Sequence, residues 1–258
     1  MTTFSIQSGS CGNCIYYESG GIKLLFDAGI TYKVLHERLK SQGIDPLDIN
    51  VLLISHDHSD HSKSIGIFQR KIQMPVIISK KTFQSVESRL GKLDYQKIYH
   101  FEPYDTINIK NLKIRTIRTP HDGIDPSIFI IDDGKTKVGI FTDLGYCFDE
   151  LLNVMYELDV IYLESNYDLK SLRKNKLYPE SLKRRIVGKG GHIENIESAS
   201  IVKNYCDGKL KHLFLSHLSA ENNNPDLALQ THMTIYGNYP GFDISIAPRD
   251  RVSQIISL

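Results

Sequence analysis

The sequence predicts an α/β protein (α+β by some schemes) in which two β-sheets face each other and helices cover their outer sides. Three observations carry that expectation. Strand-like segments crowd the start and the middle of the chain. Helix-like segments accompany each crowd, so each strand-rich half has helices to cover it. Runs such as Val51-Leu52-Leu53-Ile54 are apolar at every position, the mark of a buried strand.

The elements follow in order. Residues 3–7, 14–19 and 22–26 read as strands separated by Gly-rich turns. A helix is expected over 32–42, the buried strand over 51–54, and the end of another helix over 67–70. A strand at 76–79 and a helix at 82–90 complete the first half. The middle is strand-rich, at 106–109, 113–118, 127–131 and 137–141. Helices are expected at 148–156, 179–187 and 194–206, with strands at 160–163 and 212–215. No internal repeat, low-complexity tract or linker divides the sequence, so residues 1–258 read as a single domain.

Composition excludes several classes. Charged residues are 24% and hydrophobic residues 41% of the chain, ordinary for a globular protein. The formal net charge is +1, so affinity for nucleic acid must come from a local patch. No stretch approaches the roughly 18 apolar residues of a membrane span, and no membrane partner is expected. The start, Met1-Thr2-Thr3-Phe4, lacks a basic segment followed by an apolar one. With only four cysteines, that favours the cytoplasm. Cys11 and Cys14 have half the spacing of a zinc site, but no second pair follows, and two ordinary thiols in a turn are expected.

The chemistry concentrates at His56-Asp57-His58-Ser59-Asp60-His61. His56 and His58 lie two apart just after the buried strand, so in extended backbone they project the same way. Three imidazoles and a carboxylate bunched within six residues suit zinc, manganese or iron. Remote partners stand where such a site needs them. His121, Asp143 and His217 each follow the C-terminal end of an apolar strand, where loops on a rigid sheet carry ligands. His36, His100, His212 and His232 sit in helix or strand patterns without partners and are expected to be structural.

Together with Asp27 in Leu24-Leu25-Phe26-Asp27-Ala28-Gly29, these segments resemble the five ordered motifs of the metallo-β-lactamase superfamily. The resemblance implies a four-layer αβ/βα sandwich with a dinuclear site at one edge. It implies that His56, His58 and His121 hold one divalent metal ion, that Asp60, His61 and His217 hold a second, and that Asp143 bridges them. Asp27 is then an outer residue that orients a ligand histidine. An aspartate at the bridging position, where the β-lactamases of the family carry cysteine, points to esters or phosphodiesters and away from antibiotics.

Two further features narrow the branch. Glu164 ends a strand and His192 opens a helix, which resembles the nuclease branch where a Glu–His pair protonates the leaving alkoxide. The candidate catalytic residues are therefore Asp60, His192 and Glu164. Between that pair, the stretch from Lys170 to Lys189 holds Lys170, Arg173, Lys174, Lys176, Lys183, Arg184, Arg185 and Lys189 against one acidic residue, Glu180, a segment suited to a phosphate backbone. Of these, Arg173, Lys174, Lys183, Arg184 and Arg185, with Ser219 and Asn222, are the candidate nucleic-acid contacts. Backbone amides of residues 219–224 and the turn near Ser10 are expected to cradle a phosphate, and Tyr167 and Tyr178 to offer faces for bases.

Segments 8–14, 55–61, 142–146, 164–168, 181–186 and 217–223 carry a closer resemblance, to a group of bacterial exonucleases in the same superfamily. It implies a cytoplasmic 5′ to 3′ DNA exonuclease of DNA repair or metabolism. Cys11 and Tyr167 depart from that group's pattern, where serine and histidine are expected. Three rivals remain. A tRNA-processing-like endoribonuclease lacks here the long Gly/Pro-rich arm that grips tRNA. A small ester or thioester hydrolase of the glyoxalase type has no need of the Glu164–His192 pair. A metal-holding adaptor without turnover is disfavoured by a complete ligand set.

Overall fold

The computed structural model describes residues 1–206, 208–237 and 240–258. The first half runs β1 (Thr2–Gln7), β2 (Cys14–Ser19), β3 (Ile22–Phe26), α1 (Tyr32–Ser41), β4 (Val51–Ile54), α2 (Ser59–Ser62), α3 (Ile65–Ile72), β5 (Val76–Ser79), α4 (Lys80–Leu90) and β6 (Ile98–Phe101). The second runs β7 (Thr106–Ile109), β8 (Leu112–Arg118), β9 (Ser127–Asp132), β10 (Lys137–Phe141), α5 (Asp149–Met155), β11 (Val160–Glu164), α6 (Leu169–Lys174), α7 (Glu180–Val187), α8 (Asn195–Tyr205), β12 (His212–Ser216), α9 (Pro225–Tyr236) and β13 (Asp243–Ile246). The chain then returns to the first sheet as β14 (Ile256–Ser257).

Each half forms a seven-stranded sheet, ordered β14-β1-β2-β3-β4-β5-β6 and β13-β12-β11-β10-β9-β8-β7. The two sheets share one succession of strand directions. From β14 to β3, and again from β7 to β10, neighbours are antiparallel. From β3 to β6 and from β10 to β13 they are parallel. The repetition lies in direction and connection, which is why the sequence shows no repeat.

Side chains that alternate along each strand build the layers. Leu24 and Phe26 of β3, Leu53 of β4, Ile140 of β10 and Tyr162 of β11 enter the core between the sheets. Leu25, Leu52 and Ile54 point the other way, onto a cluster with Leu35 of α1, Phe68 of α3 and Val86 of α4. Phe141, Ile161 and Leu163 meet Leu151 of α5 and Ile201 of α8. The expected four-layer αβ/βα sandwich is therefore present. β4 is apolar throughout because both of its faces are covered.

Several elements go beyond the sequence expectations. β6 and β13 are four-residue strands at the sheet ends that the sequence expectations did not include. α6 is six residues long and capped by Asp168, whose side chain accepts from Ser171 N. α9 had a readable signal: Asn224 caps it by accepting from Leu227 N, with Pro225 at its first turn. Among the described residues, no helix is long and apolar enough to cross a membrane.

Candidate metal centre

The seven residues expected to hold metal converge at one edge of the sandwich, beyond the C-terminal ends of the parallel strands. β4 leads into Ser55 and His56, and α2 begins at Ser59 so that Asp60 and His61 follow at once. From the other sheet come His121 after β8, Asp143 after β10 and His217 after β12. The rings of His56 and His61 are 4.2 Å apart, those of His58 and His121 4.9 Å, and those of His61 and His217 5.5 Å. Asp27, Asp143 and His217 all have left-handed backbone, with φ of 67°, 60° and 54°. Such angles are uncommon outside glycine and mark sharp turns at functional sites.

Among the described residues, potential ligand atoms fall into four groups, each within 4.8 Å: His56 with His58 and His121; His56 with His61 and Asp143; Asp60 with His61 and His217; and Asp143 with Glu164, His192 and His217. The first three groups each draw on both sheets. A divalent cation fits them on three observations. His56 Nε2 and Asp143 Oδ2 are buried without a hydrogen-bond partner, although Oδ2 lies 3.1 Å from His61 Nε2. Buried polar atoms left this way are costly unless something binds them. His121 Nε2 and His58 Nδ1 face each other at 3.1 Å. Two such lone pairs repel unless a proton or a cation lies between them.

The opposite nitrogen of each ring is anchored, which selects the ligating one. His61 Nδ1 donates to Asp27 Oδ2 at 2.7 Å. His56 Nδ1 is 2.9 Å from Ser55 Oγ, which itself donates to Asp27 Oδ1. His121 Nδ1 donates to Gly191 O at 2.9 Å. These three rings thus turn Nε2 to the cluster. His58 is reversed: its Nε2 lies 3.4 Å from Asp122 Oδ1, so its Nδ1 is the free nitrogen.

Glu164 serves two rings, taking His192 Nδ1 at 2.7 Å and His217 Nδ1 at 3.1 Å on the same oxygen. His192 stands in the loop before α8 and does not cap it, because the cap position is Glu194. Its ring belongs to the site, 5.2 Å from that of His121 and 5.3 Å from that of His217.

Electrostatics follow from this crowding. Burial, with the ring of His61 beside it, pushes His56 well below the ordinary histidine value. Burial disfavours charge on His61 and His217 too, but the carboxylate of Asp143, with Asp27 and Asp60 around His61 and Asp60 and Glu164 around His217, overcomes it. His61 is held well above the usual range and His217 is raised to about 10. The carboxylates respond in kind: against their burial, neighbouring histidines lower Asp143 strongly and bring Asp60 and Glu164 to about 2. The cluster is a set of anions in search of positive charge, which protons or divalent ions can supply.

The sequence reading missed several members. Asn13 Nδ2 lies 3.0 Å from His61 Nε2 and 3.4 Å from Asp60 Oδ2. Its only signal was its position inside segment 8–14. Asp122, next to His121, steadies His58 and takes Arg185 Nε and Nη2 at 2.5 and 2.9 Å. Gly29 matters by its size: a Cβ there would lie 1.6 Å from the Asp60 carbonyl oxygen. Gly29→Ala is accordingly expected to lose about 1–3 kcal/mol of stability and to weaken cation binding, read from urea unfolding and metal titration. Unchanged values for both would remove the steric argument.

The cleft over the cluster has a volume of about 300 Å³, and its walls include Ser10, Tyr178, Arg185 and Ser219. Of the expected nucleic-acid contacts, Arg185 and Ser219 therefore reach the centre. Arg173, Lys174 and Lys183 line a neighbouring hollow that shares Tyr178 with the cleft. Arg184 lies in a further hollow behind α7. Lys183 Nζ is engaged by Glu180 Oε1 and Arg173 O, which limits its freedom to meet a ligand. Asn222 is buried and bonded to Asn175 and Ser219, so it supports the loop and does not face the cleft. Tyr167 is buried against Leu172 and Ile186, so it offers no face to a base. The phosphate cradle expected at 219–224 also fails in part: the amides of Ser219, Asn222 and Asn224 already donate to Asn166 O, Ser219 Oγ and Asn223 Oδ1. Cys11 is exposed and Cys14 buried at the start of β2, and neither joins a metal group among the described residues.

A two-sheet sandwich with this histidine–aspartate cluster at its edge defines a metal-dependent hydrolase. Residues 11–192 match the Metallo-beta-lactamase superfamily, and the chain belongs to that superfamily. It is 31% identical over 223 residues to exodeoxyribonuclease YycJ of Bacillus anthracis, covering 86% of this chain and 84% of that protein. It is 33% identical over 244 residues to exodeoxyribonuclease WalJ of Streptococcus pneumoniae, covering 93% and 89%. Among solved structures, the metallo-beta-lactamase fold protein YhfI of Bacillus subtilis superposes with a TM-score of 0.75 at 19% identity, over 99% of this chain and 98% of that one, a likeness of fold.

Proposed function

We propose that this chain is a dinuclear-metal phosphodiesterase of the bacterial cytoplasm, a DNA exonuclease that works 5′ to 3′ in DNA repair or metabolism. The observation that carries the reading is the His192–Glu164 pair, 2.7 Å apart, with the buried Glu164 behind a His192 that lines the same cleft as the candidate metal-binding groups. A phosphodiester needs an acid for its sugar alkoxide, whereas an activated ester does not. The relatives named exodeoxyribonuclease support the choice of DNA. Because both sheets furnish the cluster, residues 1–258 act in this reading as one domain.

His56, His58 and His121 would hold one cation and Asp60, His61 and His217 a second, with Asp143 able to serve both. Zinc and manganese suit this donor set, and iron is compatible with it. Two such ions supply an acidified water and offset charge on the non-bridging phosphate oxygens. The protein does the rest. Asp60 stays a carboxylate and accepts a hydrogen bond from the attacking water. Asp27, Ser55, Gly191 and Asp122 hold the rings in the tautomers described above. Glu164 fixes His192 through Nδ1, leaving Nε2 to carry a proton to the departing oxygen. Arg185, steadied by Asp122, meets a phosphate at the cleft wall.

The test is incubation of end-labelled single- and double-stranded DNA and RNA with manganese, zinc or chelator, followed by product sizing. Stepwise release of nucleotides from the 5′ end of DNA, abolished by chelator, is expected. Internal cuts in structured RNA would favour the tRNA-processing reading. Turnover of thioesters alone would favour the glyoxalase type, and no turnover with metal bound an adaptor.

A further inference from the structure

Next to the metal cleft lies a larger cavity of about 640 Å³, lined among others by Leu218, Leu229, Ile246, Pro248, Arg249 and Arg251. It is contiguous with the reaction centre. Ser219 belongs to the walls of both spaces, and Ser8, on the cavity wall, accepts the backbone N–H of His217 at 2.8 Å. Its floor is apolar, and its rim carries two arginines against the single carboxylate of Asp250. The arginines differ in duty. Arg249 Nη2 is bonded to Leu218 O and holds the loop after β12. Arg251 is three-quarters exposed, and its carboxylate partner is its chain neighbour Asp250 at 3.2 Å, a weak surface pair. The cavity opens at the His217 end of the cluster. Arg185 stands at the other end, beside His58 and His121 through Asp122.

A polymer that meets Arg185 and lies across both trios would therefore continue over Ser219 into this cavity. We propose that the cavity takes one nucleotide unit of the strand being cut, its base on the Leu218–Leu229–Ile246–Pro248 floor and its phosphate at Arg251. The inference rests on the nuclease reading and deepens it, naming where the substrate is gripped beside the scissile bond. Apolar floors with a few placed polar groups are what ligand sites of this size present. A cationic rim answers the one charge that every nucleotide carries.

Two variants test it: Ala220→Trp, which fills the cavity from its exposed edge, and Arg251→Glu, which reverses the rim charge. Both are compared with the unchanged protein on end-labelled single-stranded DNA and on bis(p-nitrophenyl) phosphate, which has the reacting phosphodiester but no base. Metal content is measured for each. The expected result is at least a tenfold loss of kcat/KM on DNA by either variant, with turnover of the small diester and bound metal unchanged. DNA cleavage unaltered in both variants would overturn the cavity while leaving the nuclease standing. Equal losses on the two substrates would also overturn it, as damage to the centre. If the unchanged protein releases no nucleotides from DNA, the nuclease reading falls and the cavity assignment falls with it.

Discussion

Replacing Asp143 with alanine is expected to remove tightly bound divalent cation and activity together. The carboxylate is buried, with one oxygen 3.1 Å from His61 Nε2 and the other 3.5 and 3.6 Å from His217 Nδ1 and His121 Nε2. Its two oxygens thus lie near histidines of both candidate trios. Loss of an outer partner of a metal site typically costs about 10–100-fold in affinity, and loss of a central ligand should exceed that. The variant also strips His61 and His217 of the anion that most favours their protonated forms. Elemental analysis after extensive dialysis, beside a nuclease assay in added manganese, checks the result. Full metal content with normal turnover would sink the assignment of Asp143 as the shared ligand.

His192→Ala separates chemistry from metal binding. The ring touches the cluster but is held chiefly by Glu164, so both cations should stay bound. Cleavage of DNA should slow by about 10²–10⁴-fold, the usual worth of a positioned acid. A diester with p-nitrophenolate as leaving group needs no proton at that oxygen and should be nearly unaffected. An equal loss on both substrates would show that His192 shapes the centre and does not protonate the departing group. Glu164→Gln is a less clean variant, because the same oxygen also anchors His217.

Much of the cluster was legible because its candidate ligands are of unusual type and stand at strand ends. The run from His56 to His61 compresses four candidate ligands into six residues, and His121, Asp143 and His217 each follow an apolar strand. What escaped is what depends on tertiary contact. Asp122 looks like any loop aspartate until Arg185 and His58 are seen on either side of it. Asn13 sits in a segment whose thiols drew attention, though it is the amide that reaches His61. Asn222 and Tyr167 had the chemistry of a nucleic-acid contact but are buried, and no pattern of residue types could show that. Among the elements, α9 was marked by Asn224-Pro225 and could have been read. β6 and β13 were not picked out, although Asp243-Ile244-Ser245-Ile246 alternates as Thr106-Ile107-Asn108-Ile109 of β7 does and could have been read in the same way.

Three of the four ligand groups found among the described residues take donors from both sheets, so an ion seated there would act as a rivet joining two halves that otherwise meet through the apolar layer between them and scattered hydrogen bonds such as Thr3–Tyr162 and Ser127 N–Ser55 O. Binding of that kind favours only the assembled state and adds stability by mass action, about 2.7 kcal/mol when free ion stands at a hundred times its dissociation constant. Cellular supply of the ion would then govern how long the molecule survives, as well as how fast it works.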